Sequence, residues 1–215
     1  MKRILKILFF LFVIKPLTLI VLGLNIRGRE KLPAHGPAII AANHNSHLDT
    51  MVLMGLYPLT QVHKVRPVAA ADYFLKNKFL KWFSLDIIGI IPLERNSRLS
   101  KEELFSGCKE ALEKNEILIL YPEGSRGSAG KMAELKKGIF HISKLHGEVP
   151  VTPVVMNGLN KALPKGEALL VPFNCDVIVG NQRLPEETAN HFVEKLKADF
   201  DELFEHCLTS HSETE

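Results

Sequence analysis

Short apolar runs alternate with longer amphipathic stretches from about residue 38 onwards, and the two patterns predict different elements. An apolar run of four to eight residues bounded by Pro, Gly, Asn or charge is typical of a strand buried on both faces. Such runs predict strands over 38–42, 65–70, 87–92, 117–121 and 151–156, with one or two more within 169–179. Helical periodicity predicts helices over 47–56, 73–84, 101–114, 134–145 and about 186–207.

The alternation of strands and helices predicts the fold class. A capping box, Ser100 to Glu103, marks the start of the third helix. We expect an α/β fold, a single domain with a central, largely parallel (mixed) sheet flanked by helices. In such sheets, functional loops collect beyond the carboxyl ends of the strands.

The first 24 residues are the most apolar part of the chain. Two apolar stretches, Ile4 to Ile14 and Leu17 to Leu24, flank Lys15-Pro16. A spanning helix needs roughly 20 apolar residues, and it would place Lys15 near mid-membrane, where a charge is costly. Two short helices hinged at Lys15-Pro16 and lying in one leaflet avoid that cost, so we favour them over a single span.

Two other interpretations of this segment are weaker. A signal peptide would need a small-x-small cleavage site, and none follows the apolar stretch. A buried core helix is disfavoured because so few polar positions leave no amphipathic face. The chain therefore divides into hydrophobic membrane-anchor helices over 1–24 and a folded domain over 25–215.

Composition narrows the class of protein. The chain of 215 residues is 46% hydrophobic and 24% charged, as in globular proteins. A net charge of +3 is too small to indicate a nucleic-acid partner but suits anionic lipid head groups. Three widely spaced cysteines form no disulfide framework, which favours a reducing compartment.

Residues 43–49 read NHNSHLD, between a predicted strand and a predicted helix. Ser46 could cap the helix, with Asp49 favourable at its positive end. A metal could bind His44, His47 and Asp49, but no fourth ligand or HExxH pattern accompanies them. Alternatively, His44 lies in the loop and folds back so that Nδ1–H donates to Asp49, leaving Nε2 to accept a proton. His47 is then a structural residue.

Two later stretches suit an anionic ligand. Residues 121–127 read YPEGSRG at the end of a predicted strand, where a glycine-flanked turn offers N–H groups and the Arg126 guanidinium to a phosphate. Its spacing excludes a Walker A loop and a nucleophile elbow, whereas a plain β-turn stays open. The second stretch, Gly89 to Arg95, ends an apolar run in arginine.

These blocks, in this order, resemble the glycerolipid acyltransferase family typified by 1-acylglycerol-3-phosphate acyltransferases. The family's N-H-x-S-x-x-D block is matched by Asn43, His44, Ser46 and Asp49. Its second block is matched by Gly89 through Arg95, and its third, usually F-P-E-G-T-R-S, by residues 121–127. A fourth block resembles 149–154, and the likeness extends over about 25–180. The apolar N-terminus is similar to the membrane-seated helix pair of bacterial members.

The resemblance implies a reaction and a set of roles. An acyl group would pass from acyl-CoA or acyl carrier protein to the hydroxyl of lysophosphatidate, with His44 as base, Asp49 orienting it, and no metal or cofactor. The substrate-binding residues it implies are Arg95, Glu123, Gly124, Ser125 and Arg126. Expected partners are the lipid bilayer, the lysophospholipid and the acyl donor, with no nucleic acid. The enzyme would lie on the cytoplasmic membrane, with its site on the cytoplasmic side near the interface.

Two alternatives stay open at this point. The same chemistry could use glycerol 3-phosphate, another lysophospholipid or a lyso-ornithine lipid as the acceptor. A metal-dependent hydrolase using His44, His47 and Asp49 would instead lose its activity to chelators.

Overall fold

The computed structural model describes residues 2–74, 77–94, 100–125, 127, 132–162 and 173–208. Within these ranges, seven strands form one mixed sheet: β1 (Leu22–Arg27), β2 (Ala38–Ala42), β3 (Val65–Ala70), β4 (Ile91–Leu93), β5 (Ile117–Leu120), β6 (Val151–Asn157) and β7 (Phe173–Val179). The spatial order is β1-β7-β6-β2-β5-β3-β4. The five strands from β6 to β4 run parallel, β7 is antiparallel to β6, and β1 is parallel to β7.

Helices cover both faces of the sheet. They are α1 (Lys2–Phe9), α2 (Asp49–Gly55), α3 (Ala71–Phe74), α4 (Lys78–Trp82), α5 (Lys101–Leu104), α6 (Ser106–Glu113), α7 (Gly138–Ser143), α8 (Leu159–Ala162) and α9 (Ala189–Glu205). π-Helical turns span Phe10–Ile14, Leu17–Val21 and Phe83–Ile88, and short 3₁₀ turns span Arg29–Lys31 and Val62–Lys64. The predicted fold class, an α/β domain with a mixed sheet between helices, is therefore confirmed.

The central strand β2 shows how the two layers of the core arise. All five of its residues are buried, and successive side chains point to opposite faces. Ile40 belongs to the cluster that includes Phe10, Val52 and Leu53 of the N-terminal segment and α2. Ile39 belongs to the opposite cluster, which includes side chains from α6, α7 and α9.

Several predicted boundaries agree closely with the structure, and others do not. The strands at 38–42 and 65–70 match residue for residue. The predicted helix 101–114 appears as α5 and α6, and both hydrogen bonds of the Ser100–Glu103 capping box are present. The predicted helix 134–145 begins only at Gly138. The predicted helix 73–84 is replaced by α3 and α4, with residues 75–76 outside the described ranges.

The predicted strand 87–92 is wrong over most of its length. Ile87 and Ile88 end the π-helical turn Phe83–Ile88, and only Ile91 begins a strand. Gly89, at φ 78°, changes the chain direction between the two. The error has a physical cause, because a short buried apolar run gives no periodicity that separates helix from strand.

Strand β1 is not among the predicted strands, and it crosses the predicted boundary between the anchor, which ends at Leu24, and the folded domain. Leu22 through Arg27 pair with Phe173 through Ile178 of β7. Gly23 permits this pairing, because a Cβ there would lie 2.5 Å from Oδ1 of Asn174.

The N-terminal segment, residues 2–21, packs against the domain in an unexpected orientation. Lys6, Phe10 and Ile14 share one buried face, whereas the outer face exposes Ile4, Leu8, Leu11 and Phe12. The statement that no amphipathic face exists was therefore wrong, because the buried face carries the lysine and the exposed face is apolar. Lys15 and Pro16 keep helical backbone angles between two π-helical turns, so the predicted hinge is not a break in the helix. No helix in the described ranges combines the length and apolarity needed to cross a membrane.

Lys6 joins this segment to β3 and to the π-helical turn Phe83–Ile88 through two carbonyls. Its Nζ donates to Ile88 O at 2.8 Å and to Val65 O at 3.3 Å. Burial, then the charge of Arg66, lowers the pKa of Lys6 from 10.5 to about 7. The unfolded chain therefore binds a proton that the folded chain releases between these two values.

We expect Lys6 to make the free energy of unfolding rise with pH above about 7 and fall again on acidification, because stability increases wherever the unfolded state binds more protons. The rise should be visible below pH 9.0, the ordinary thiol pKa, since Cys108, Cys175 and Cys207 oppose it at higher pH. Lys6→Met should flatten this slope, and Lys64→Met, an exposed control, should keep it. Denaturant unfolding across this range measures both. A Lys6→Met slope equal to that of the wild type would contradict the assignment.

Candidate active site

The loop that follows β2 brings His44 and Asp49 together. His44 lies in the loop, and Asp49 is the first residue of α2. His44 Nδ1 lies 2.9 Å from Asp49 Oδ2, the contact that the sequence predicts. The His44 side chain is 22% exposed and that of Asp49 is 1% exposed. The pair thus has a solvent-facing imidazole and a buried carboxylate.

The Asp49 carboxylate fixes the shape of the loop. Its Oδ2 also accepts the backbone N–H groups of Asn45 and Ser46, each at 2.8 Å. These donors offset the cost of burying a charge. A carboxylate can only accept, so Nδ1 of His44 carries the proton and Nε2 of the neutral ring is the acceptor. Nε2 bonds to none of the described residues.

Ser46 does not cap α2 in the predicted way. Leu48 precedes the first helical residue, and the helix begins two residues later than predicted. The Ser46 hydroxyl instead accepts Leu48 N–H at 3.2 Å inside the loop. No side chain caps the first turn of α2, and Asp49 accepts from loop N–H groups that precede the helix.

Glu123, which follows β5, ties the third motif to the first. Its carboxylate is 3% exposed. Oε1 accepts the backbone N–H of His44 at 2.8 Å, and Oε2 accepts that of Ala133 at 2.9 Å. The backbone of Gly127 donates to His44 O at 2.9 Å. Glu123 thus holds the main chain of the histidine loop, and its predicted contact with the acceptor stays a prediction.

Asn43, which directly precedes His44, holds the start of the loop against β6. Its side-chain Nδ2 donates to Met156 O at 2.8 Å, and its Oδ1 accepts Met156 N–H at 2.7 Å. Asn43 is 1% exposed, and Met156 lies in β6, the neighbour of β2. These two hydrogen bonds of the Asn43 side-chain amide continue the pairing of β2 with β6 beyond the end of β2. They therefore fix the direction in which the loop leaves β2.

Tyr121 is a site residue that sequence reasoning did not single out. Its ring stacks on the His44 imidazole with centroids 4.1 Å apart and an interplanar angle of 22°. Its hydroxyl lies 2.8 Å from Thr50 Oγ1, one residue beyond Asp49. Burial, then the nearby Asp49 charge, raises the pKa of Tyr121, so the phenol stays protonated. The sequence did contain one indication of this role, since position 121 is tyrosine where the resembled motif usually has phenylalanine.

Asn45 is a second residue of the site that was not predicted from the sequence. Both polar atoms of its side chain, together with Asp49 Oδ1, are buried and without a hydrogen-bond partner in the described part of the chain. A buried polar atom left unsatisfied costs about 1–3 kcal/mol. The loop beside His44 therefore has hydrogen-bonding capacity that its own protein groups do not use.

The remaining predicted residues are only partly described. Arg95 and Arg126 lie outside the described residues. Gly124 adopts φ 72°, and a Cβ there would lie 2.6 Å from Lys136 Nζ, so the lysine side chain crosses directly over the glycine. Ser125 is exposed on the same turn. Lys136 is thus a cation beside the third motif.

The alternative metal site is not assembled in the described ranges. His47 is exposed, and no group of three His, Cys, Asp or Glu side chains there is placed to hold a metal ion. His44 and Asp49 are therefore paired with each other rather than grouped with His47.

Comparisons with known proteins agree on one family. Residues 23–157 match the Acyltransferase family model. The chain is 30% identical over 158 residues to the chloroplastic 1-acyl-sn-glycerol-3-phosphate acyltransferase LPAT1 of Arabidopsis thaliana, covering 73% of this chain and 42% of that protein. It is 25% identical to the human alpha enzyme of the same name, over 72% of this chain and 53% of that one.

A solved structure shares the fold. The 1-acyl-sn-glycerophosphate acyltransferase PlsC of Thermotoga maritima superposes with a TM-score of 0.73 at 21% identity, covering 95% of this chain and 78% of that one. The aligned part of this chain spans about half the length of the curated relatives named above. The family match covers well over half of the chain, and the chain belongs to the acyltransferase family.

The Glu123 contacts generate a test that separates structure from substrate binding. Glu123→Gln replaces one acceptor oxygen by an NH₂ group that faces a backbone N–H, so we expect the free energy of unfolding to fall by about 1–3 kcal/mol. Glu134→Gln, exposed on the following segment, is the matched control and should not change stability. Denaturant unfolding measures both. Unchanged stability with only a higher KM for the acceptor would assign Glu123 to substrate binding instead.

Proposed function

We propose that this acyltransferase-family protein transfers a fatty acyl group from acyl-CoA or acyl carrier protein to the free hydroxyl of lysophosphatidate, giving phosphatidate. The observation that carries the proposal is the His44–Asp49 contact of 2.9 Å, which leaves Nε2 able to accept a proton. The names of the relatives support lysophosphatidate as the acceptor. The reaction needs no cofactor, since a thioester is already activated.

The chemistry follows from the proton positions. Nε2 of His44 removes the proton from the acceptor hydroxyl as its oxygen attacks the thioester carbonyl. Asp49 stabilises the imidazolium that forms and holds the ring in the required tautomer. When the tetrahedral intermediate collapses, the carbon–sulfur bond breaks and the imidazolium gives its proton to the departing thiolate. The ester and the free thiol are formed, and His44 returns to its neutral state.

The cysteines do not suit a covalent route. Cys108, Cys175 and Cys207 are all buried. Burial raises the pKa of each thiol to about 12. The thiolate, which is the nucleophilic form, is therefore scarce at neutral pH. Direct attack by the acceptor hydroxyl is the simpler path.

The acceptor phosphate is assigned to the third motif. Lys136 lies over Gly124 in the described structure, and we assign the predicted Arg95 and Arg126 to the same group by their motif positions. Guanidinium and ammonium groups bind phosphate through charge-assisted hydrogen bonds. Glycerol 3-phosphate or another lysophospholipid carries the same phosphate, so an acceptor panel separates these candidates.

The apolar outer face of the N-terminal segment supports membrane seating. Phe12 is 70% exposed, and Phe79 and Trp82 of α4 are 69% and 45% exposed. Phe83 connects the two groups, since it contacts Phe9 on one side and Phe79 on the other. Exposed apolar surface of this kind on two adjoining elements marks a membrane or partner contact. We assign it to one leaflet, at the cytoplasmic side of the membrane.

The proposed mechanism is tested by replacing the base. His44→Ala should reduce release of free thiol from acyl-CoA in the presence of lysophosphatidate by roughly 10²–10⁴-fold, the usual contribution of a general base. His47→Ala, in the same loop but exposed, should stay near wild-type activity. Near-normal turnover by His44→Ala would refute the mechanism. Activity lost to a chelator, with free fatty acid as the product, would point to the metal-dependent hydrolase.

Membrane seating is tested on the outer face. Phe12→Ser should weaken binding to neutral phosphatidylcholine vesicles roughly tenfold, because burial of a large apolar side chain contributes about 1.5–3 kcal/mol. Leu184→Ser, also exposed but away from the N-terminal segment, is the control and should bind like the wild type. Vesicle flotation measures both. Equal weakening in the two variants would show that the N-terminal face is not the membrane contact.

A further inference from the structure

A groove of about 1230 Å³ lies between the N-terminal segment and the edge strand β1. Leu22 and Leu24 of β1 line it on one side, and Leu19 and Ile20 of the N-terminal segment line it on the other. Leu19 is 78% exposed and Ile20 is 81% exposed. The groove therefore opens beside the most exposed large apolar residues of the described part of the chain.

Two cations lie together at one end of this groove. Lys15 Nζ donates to Gly55 O at 2.8 Å, and Arg29 donates to Leu56 O at 2.6 Å. These are consecutive carbonyls at the end of α2, so the two side chains are held next to each other. The negative end of a helix favours such cations. An ammonium has three donors and a guanidinium five, so each keeps donors for a further acceptor.

The local electrostatics favour an anion between these cations. Neither Lys15 nor Arg29 forms an ion pair with a carboxylate of the described residues. Burial, and then the neighbouring charge of Arg29, lowers the pKa of Lys15. The carboxylate that also lines the groove, Asp176, is 1% exposed and accepts from Asn25. A bound anion next to the two cations would reduce their mutual repulsion.

We propose that Lys15 and Arg29 bind the phosphate of an anionic phospholipid in the membrane, at a site separate from the catalytic loop. The site lies one length of α2 from Asp49, about 10 Å for seven residues. A lipid head group fits better than free phosphate because the wall next to the cations is apolar and exposed. The proposal rests on the membrane seating proposed above, but not on the acyl-transfer chemistry.

The test compares charge loss at this site with equal charge loss elsewhere. The full-length protein is diluted from detergent into phosphatidylcholine vesicles, with or without a minority of phosphatidylglycerol, and bound protein is recovered by flotation. The wild type should prefer the anionic vesicles by on the order of tenfold, given the attraction of two cations near a membrane surface. The double variant Lys15→Gln/Arg29→Gln should lose that preference and keep its binding to neutral vesicles.

Two further variants separate a specific site from diffuse charge. Lys31→Gln/Lys64→Gln removes the same charge from two exposed lysines and should keep the preference. Lys15→Arg/Arg29→Lys keeps both charges and should also keep it. Equal loss in the lysine control, or persistence of the preference in Lys15→Gln/Arg29→Gln, would overturn the proposal. Thermal unfolding of each variant ensures that folded proteins are compared.

A titration in neutral detergent micelles distinguishes the two sources of phosphate. A short-chain phosphatidylglycerol should bind the wild type and not Lys15→Gln/Arg29→Gln, whereas inorganic phosphate at equal ionic strength should not bind measurably. Tight binding of inorganic phosphate that depends on both cations would identify a free-anion site and overturn the lipid assignment. Failure of the wild type to bind any vesicle would refute membrane seating and this proposal together. Thiol release with a dispersed acceptor, assayed in parallel, still tests the proposed chemistry.

Discussion

One buried carboxylate organises the candidate site. Oδ2 of Asp49 accepts from the imidazole of His44 and from two backbone N–H groups of the same loop. A carboxylate that is 1% exposed requires such donors, and the loop can supply them only by folding back over the first turn of α2. The five-residue spacing, unsuitable for one helix face, is thus the spacing that this fold-back needs. The tautomer of His44 follows from the same contact.

The loop is held by residues far away in the chain. Glu123 after β5 takes the N–H of His44, and Asn43 bonds both ways with Met156 of β6. β5 and β6 are the two neighbours of β2 in the sheet. The two neighbouring strands therefore both fix the start of the same loop, at Asn43 and His44. Tyr121 then covers the imidazole face and reaches Thr50, so the ring is positioned by packing as well as by its partner.

Elements set by local spacing could be predicted from the sequence, whereas contacts between distant residues could not. The β2 strand and the His44–Asp49 contact were predictable because local spacing and the type of neighbouring element determine them. Glu123 was identified by its motif, but its hydrogen bonds to the backbone depend on a pairing 79 residues apart in the sequence, which no local pattern contains. The prediction that the N-terminal segment has no amphipathic face was wrong for another reason. Its buried face carries Lys6, which is satisfied by two carbonyls, so the usual polar-out pattern is inverted.

Helix α2 physically connects the catalytic loop with the proposed membrane contact. Its first residue is Asp49, and the carbonyls at its far end receive Lys15 and Arg29. Gly55 lets the N-terminal segment approach closely, because a Cβ there would lie 3.2 Å from Ile14 Cγ2. A helix of seven residues is about 10 Å long and too short to bend appreciably. Seating the N-terminal segment in a leaflet would therefore fix the height and tilt of α2, and with it the position of His44 relative to a hydroxyl that lies at the lipid surface.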